Sequence, residues 1–271
     1  MKKNNKWIRF YVFLALAIIL LIVVFFGYKF APYDPLETDF ANILSAPDKE
    51  HLFGTDNLGR DVLSRILYGA SSSFSLTFLM IAIVATIGTI IGVFSGYFGG
   101  FIDTLVMRFT DVLLAFPDVV FAIAIVGMLG PGLLNTVLAL SLVWWTKYAR
   151  LTRGLTSVIR NKDYITEARF EGASTFKIMI HYILPNVLPQ VIIMATIDVG
   201  GMMLSLAGLS FLGLASQPPA PEWGYMLYEG KAYLQTAPWV MIFAGLAIFI
   251  TVIIFNLLGD SLRDILDPKE L

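Results

Sequence analysis

The chain has 271 residues, 57% hydrophobic and only 14% charged, with a net charge of −1. A soluble domain carries about 25% charge, so an ordinary cytosolic enzyme and a disordered chain are excluded, and the near-neutral balance leaves no electrostatic footprint for nucleic acid. The absence of cysteine excludes disulfides, zinc–thiolate sites, iron–sulfur clusters and thiol chemistry, and the only histidines, His51 and His181, make a multi-histidine metal site unexpected.

Lipid is therefore the expected solvent, and charge-free runs of about 20 residues mark the spans. Phe10 to Tyr28 is the first. It is longer than a signal-peptide core and no small-residue cleavage site follows, so it reads as a retained helix. Ile66 to Ile102 is too long for one span; Gly69 and Ser71 to Ser73 read as an opening turn, with the second helix at about 74–98. The third is expected at about 104–129 as one helix containing Asp111, Pro117 and Asp118, ending at the Gly130-Pro131-Gly132 turn. A fourth at about 133–149, a fifth at about 187–208 and a sixth at about 239–258 complete an all-α, six-span chain. The expected division is an N-terminal region, 1–73, holding the first helix and an outer segment, and a five-helix core, 74–271, with an inner loop at about 150–186. Of 19 Lys and Arg, only Lys29, Lys49, Arg60, Arg65 and Lys231 fall outside if the N-terminus is inside, which predicts cytoplasmic termini.

Several features within this frame invite a chemical reading. Gly54 to Arg60 (GTDNLGR) mimics a phosphate loop, but Arg60-Asp61 stands where Lys and Ser/Thr are required. No nucleotide site is expected there; the segment reads as an ordered cap in which Asp56, Arg60, Asp61 and Arg65 pair locally. Gly88, Gly92 and Gly96 recur every four residues, a small-residue face for close helix packing. Asp118 and Asp198 sit near mid-span, where a carboxylate costs about 2.5–3.5 kcal/mol on insertion scales. Each is either a pathway residue or a buried, bonded acid. Met202 and Met203 read as packing, and Asn256 as an interhelical hydrogen bonder. The loop from Tyr164 to Asn186 reads as two short helices around a Gly172-Ala173-Ser174 turn, with Pro185 opening the fifth span. Its apolar Phe170, Phe176, Ile180 and Ile183 suit docking into a partner groove or lying at a lipid surface, and spacing leaves both open.

This loop resembles the EAA motif of permease subunits of ATP-binding-cassette importers. Aligned on Gly172, the Leu184-Pro185 pair, Ala168 and Arg169 match, whereas Thr166 and Glu167 stand where the motif has Glu and Ala. Three more stretches resemble peptide- and nickel-type permeases: His51 to Ala70, Asp103 to Pro117 and Leu209 to Gly224. The C-terminal Phe255 to Pro268 resembles their usual end. The resemblance implies the type I importer permease fold in a bacterial cytoplasmic membrane. It implies a non-catalytic subunit whose ATP and Mg are used by two partner ATPase chains. A second permease and an extracytoplasmic binding protein are the other implied partners. It implies ATPase coupling through Glu167, Ala168, Arg169, Gly172, Ala173, Ser174, Leu184 and Pro185. It places Pro218, Pro219, Pro221, Glu222 and Trp223 on the face that meets the binding protein. The stretch Ala195 to Leu214 resembles nickel-type members, so nickel or a nickel chelate is the expected substrate and a di- or oligopeptide the alternative. A secondary transporter or channel is the reading from another class; the inverted repeats common in such carriers are not visible.

Overall fold

The computed structural model describes residues 2–266, with side chains from Lys6 onward; Asp267, Pro268 and Lys269 lie outside the described residues. Every long element is helical: α1 (Lys2–Phe26), α2 (Val62–Phe98), α3 (Gly100–Leu114), α4 (Asp118–Leu129), α5 (Leu133–Ile159), α6 (Asp163–Phe170), α7 (Thr175–Ile178), α8 (Leu184–Phe211), α9 (Trp223–Gly230) and α10 (Trp239–Leu266). Lys6–Phe30, Val62–Phe98, Thr175–Phe211 and Trp239–Leu266 are each long and apolar enough to cross a bilayer.

The helices depart from their expected bounds in four places. α2 begins at Val62, so Gly69 and the serines are helical and form no opening turn. Asp61 caps it, accepting from the Ser64 amide at 2.8 Å. The stretch expected as one third helix is two, α3 and α4, bent by 87° at a break ending in Pro117; Pro disfavours helix in the residue before it. α5 continues to Ile159 and so takes Arg150 and Arg153 into the helix that already holds Lys147. Pro185 stands in the first turn of α8, but no loop precedes it. A π turn, Met179–Ile183, joins α7 to α8 into one helical run in which the Leu184 amide bonds to the Met179 carbonyl. Pro185 has no N–H for the ordinary four-residue bond, and the wider turn accommodates that loss.

α2 and α5 form the densest packing. A Cβ on Gly88 would stand 2.4 Å from the Trp145 carbonyl oxygen, one on Gly92 2.0 Å from Thr152 Oγ1, and one on Gly96 2.7 Å from the Arg153 carbonyl oxygen. Contacts rise together along both helices, so α2 and α5 run parallel. α8 crosses antiparallel to both its neighbours. Gly201 meets Trp144 of α5; Gly200 meets Asn256 and Ile197 meets Gly259 of α10. The exposed face of α1 is apolar, from Ile8 to Phe26.

Residues 31–61 form a cap tied to the bundle by buried charge. Arg60 donates to Asp56 Oδ2 at 2.7 Å and to Glu229 Oε1 at 2.8 Å; Arg65 bonds Asp56 and donates to Glu229 Oε2 at 2.6 Å. The expected local pairing therefore needs a partner from α9, and Asp61 is not in it: Asp61 pairs with His51 Nδ1 at 3.0 Å. Burial works against the Arg60 charge, but Asp56 and Glu229 outweigh it and hold its pKa above the ordinary value.

Two outcomes test this packing. Gly92→Val should destabilise the folded protein by at least about 1–3 kcal/mol through overpacking, whereas Gly127→Ala, whose Cβ meets open space, should be neutral; detergent thermal melts of the purified chain read both. Glu229→Met and Arg65→Met should each cost about 3–5 kcal/mol, and the double variant less than either, because a lone buried charge is worse than none.

Candidate functional site

Three ion pairs line one side of α5. Lys147 Nζ lies 2.6 Å from Asp118 Oδ2, Arg150 pairs with Asp111, and Arg153 Nε donates to Asp103 Oδ1 at 2.8 Å. The acids come from α3 and α4, so the ladder binds the bent helix pair to α5. Arg160 completes the series by donating to the Gly96 and Tyr97 carbonyls at 3.0 Å each, capping the end of α2. Lys147 and Asp118 are 30% and 34% exposed, and Arg150 and Asp111 more than half. Lys147 sits near the middle of α5. Exposed charge inside a bilayer is costly against hydrocarbon, and a helix face of this kind borders a wet cavity or another protein wherever it enters one. The sequence puts Lys147 at the inner end of the fourth helix but does not show its pairing with Asp118; the acid–base spacing across 103–118 and 147–153 was the available signal.

Asp198 lies near the middle of α8, beside Tyr148 and within electrostatic reach of Lys147 and Asp118. The structure thus gathers both predicted mid-span acids into one region, around a basic residue. Trp144 Nε1 is buried without a hydrogen-bond partner, while the Tyr148 hydroxyl faces Asp198. Met202 and Met203 are core residues, 0% and 2% exposed.

A second exposed surface is built by α6, α7 and the turn between them. The Ala173 amide bonds to the Ala168 carbonyl at 2.9 Å and the Gly172 amide to that of Arg169 at 3.0 Å. This closes α6 with Gly172 in the left-handed region at φ +83°. Ser174 then caps α7. Ile165, Ala168, Ile178 and Ile183 are buried in the bundle; Ile183 is thus not part of the outer apolar set. Phe170 and Phe176 are 86% and 70% exposed, and Glu167, Arg169, Gly172, Ser174 and Pro185 are exposed around them, with Ala173 and Leu184 half-buried. Arg169 reaches back over the Tyr97 ring, 5.4 Å from its centroid. Two exposed phenylalanines thus stand on a segment anchored from beneath.

The outer Pro-rich loop is arranged otherwise than expected. Glu222 and Trp223 are buried, not presented outward. Glu222 caps α9 by accepting from the Gly224 and Tyr225 amides at 2.8 and 2.9 Å. Trp223 Nε1 donates to the Ile66 carbonyl at 3.0 Å, so it packs on α2 and is no membrane anchor. Gly69 makes room for this: a Cβ there would lie 1.8 Å from the Pro221 carbonyl oxygen. Pro218 and Pro219 remain exposed, and Pro221 is half-buried.

Residues 88–270 match the family model described as binding-protein-dependent transport system inner membrane component. The chain is 48% identical over 257 residues to the glutathione transport system permease protein GsiD of Escherichia coli O6:K15:H31 (strain 536 / UPEC), covering 94% of this chain and 85% of the relative. The same identity and coverage relate it to the proteins of that name from Shigella boydii serotype 4 (strain Sb227) and Shigella sonnei (strain Ss046). With its nearly all-helical fold, its apolar spans and this similarity along nearly its whole length, the chain belongs to the inner-membrane permease subunits of type I ATP-binding-cassette importers, the non-catalytic membrane components of the peptide/nickel family.

Proposed function

We propose that this permease carries peptides, of the size of glutathione, and not nickel. The observation that supports this most is the name borne by relatives 48% identical over 94% of the chain, set against a nickel reading that rests on the single stretch Ala195 to Leu214. The charged face of α5 fits the same reading, since a peptide brings charges of both signs into the path.

In this reading the chain crosses six times with both termini cytoplasmic: α3 with α4 makes one crossing and α5 another. Asp118 and Asp198 border the path, and a second permease covers the open ion-pair face to complete it. Two ATPase chains dock on the 163–185 segment, Phe170 and Phe176 filling their groove while Glu167, Arg169, Gly172 and Ser174 form the rim. Because 175–211 is one helical run, displacement at Phe176 is transmitted along it to Asp198. ATP-driven closure of the ATPase pair thereby switches the path between inward-open and outward-open. On the outer side, Pro218 and Pro219 meet the binding protein, held in place by the inward-facing Glu222 and Trp223.

Three experiments test this. A strain lacking the gene should lose uptake of labelled glutathione or another tripeptide and keep nickel uptake; loss of nickel uptake alone would overturn the peptide reading. Phe176→Ala, a change at an exposed side chain, should leave folding intact and weaken ATPase-chain binding about 30-fold, as for an interface hot spot of about 2 kcal/mol. Gly172→Asp should uncouple transport from ATP hydrolysis. A side chain at its left-handed φ costs about 1–2 kcal/mol, while the Cβ itself meets open space.

A further inference from the structure

We infer that Lys147 and Asp198 are the two poles of a zwitterion-recognition site at mid-membrane, Lys147 receiving a peptide's terminal carboxylate and Asp198 its terminal ammonium. The inference rests on the peptide reading above and assigns it residues. Ser141, Trp144 and Tyr148 are spaced three and four apart, on one face of α5. Ser141 Oγ and Trp144 Nε1 are buried without a partner, and the Tyr148 hydroxyl faces Asp198 on α8. Trp144 is 4% exposed and Tyr148 0%. Unpaired buried polar atoms are costly, and those of Ser141 and Trp144 adjoin a cation on α5 and an acid on α8. Lys147 is that cation. Its ammonium lies 3.8 Å from the Trp144 ring centroid and 2.6 Å from Asp118. Asp118 compensates the charge while the site is empty, and an ammonium's three donors leave capacity for a substrate carboxylate. One charge alone would hold one end of a peptide and leave the other uncompensated; a cation and an acid on facing helices hold both.

The test is equilibrium binding to the purified complex of permease and ATPase chains without binding protein, so that the latter's own selectivity does not enter. The probes are one labelled tripeptide, its C-terminal amide and its N-acetyl derivative. Lys147→Met should weaken binding of the free and N-acetyl peptides about tenfold, the scale of one charge-assisted hydrogen bond, and leave the amide within about twofold. Lys147→Arg should restore it. Asp198→Asn should weaken the free peptide and the amide about tenfold and spare the N-acetyl form. Equal losses for all three probes would show a purely structural ion pair and overturn the inference, as would no loss for any. Absence of binding by the unaltered complex would overturn it too, while the uptake experiment judges the peptide reading separately.

Discussion

The close approach of α2 to α5 fixes where charge stands in this membrane domain. Gly88, Gly92 and Gly96 let the backbone of α5 come into contact, and the side of α5 they occupy is that of Trp145, Ala149 and Thr152. Lys147, Arg150 and Arg153 are thereby turned toward α3 and α4. A larger side chain at any of the three glycines would push α5 away and rotate or release the ladder. The packing is a matter of van der Waals contact, since lipid offers no hydrophobic drive between helices, but its consequence is electrostatic.

The molecule handles charge in two ways. In the outer cap, Asp56, Arg60, Arg65 and Glu229 are enclosed, balanced two against two, and serve to bind the cap, α2 and α9. Along α5 the pairs are left partly open. The enclosed cluster forms a fixed structure; the open one forms a surface that lipid does not tolerate. The break between α3 and α4 serves the second arrangement, because a straight helix through Pro117 would carry Asp118 away from Lys147.

The exposed phenylalanines and the region of Asp198 are joined by the run from Thr175 to Phe211. The π turn at Met179–Ile183 absorbs the missing amide of Pro185, so the helix is not interrupted between the exposed Phe176 and Asp198. Two helices separated by a loop at Pro185, as the local pattern suggested, would have dissipated displacement in the loop. Glu222 and Trp223 carry a related lesson: a Pro-rich, Trp-containing loop reads as surface, yet a cap on α9 and a hydrogen bond to Ile66 draw both side chains inside.

The sequence by itself determined the solvent, the helical class, the glycine face and the turn at Gly172. These follow from local composition: apolar runs of bilayer length, small residues at helical spacing, and a glycine where the backbone goes left-handed. It also supplied the family, through collinear stretches covering nearly the whole chain. It did not determine that α2 starts twelve residues early, that the stretch expected as one third helix bends by 87°, or that Lys147 belongs to Asp118 and Glu229 to Arg60 and Arg65. Those depend on contacts between residues far apart in the chain. Only the tertiary structure brings such groups within bonding distance, and in a medium that punishes unpaired charge, that distance decides whether each is a structural element or part of a path.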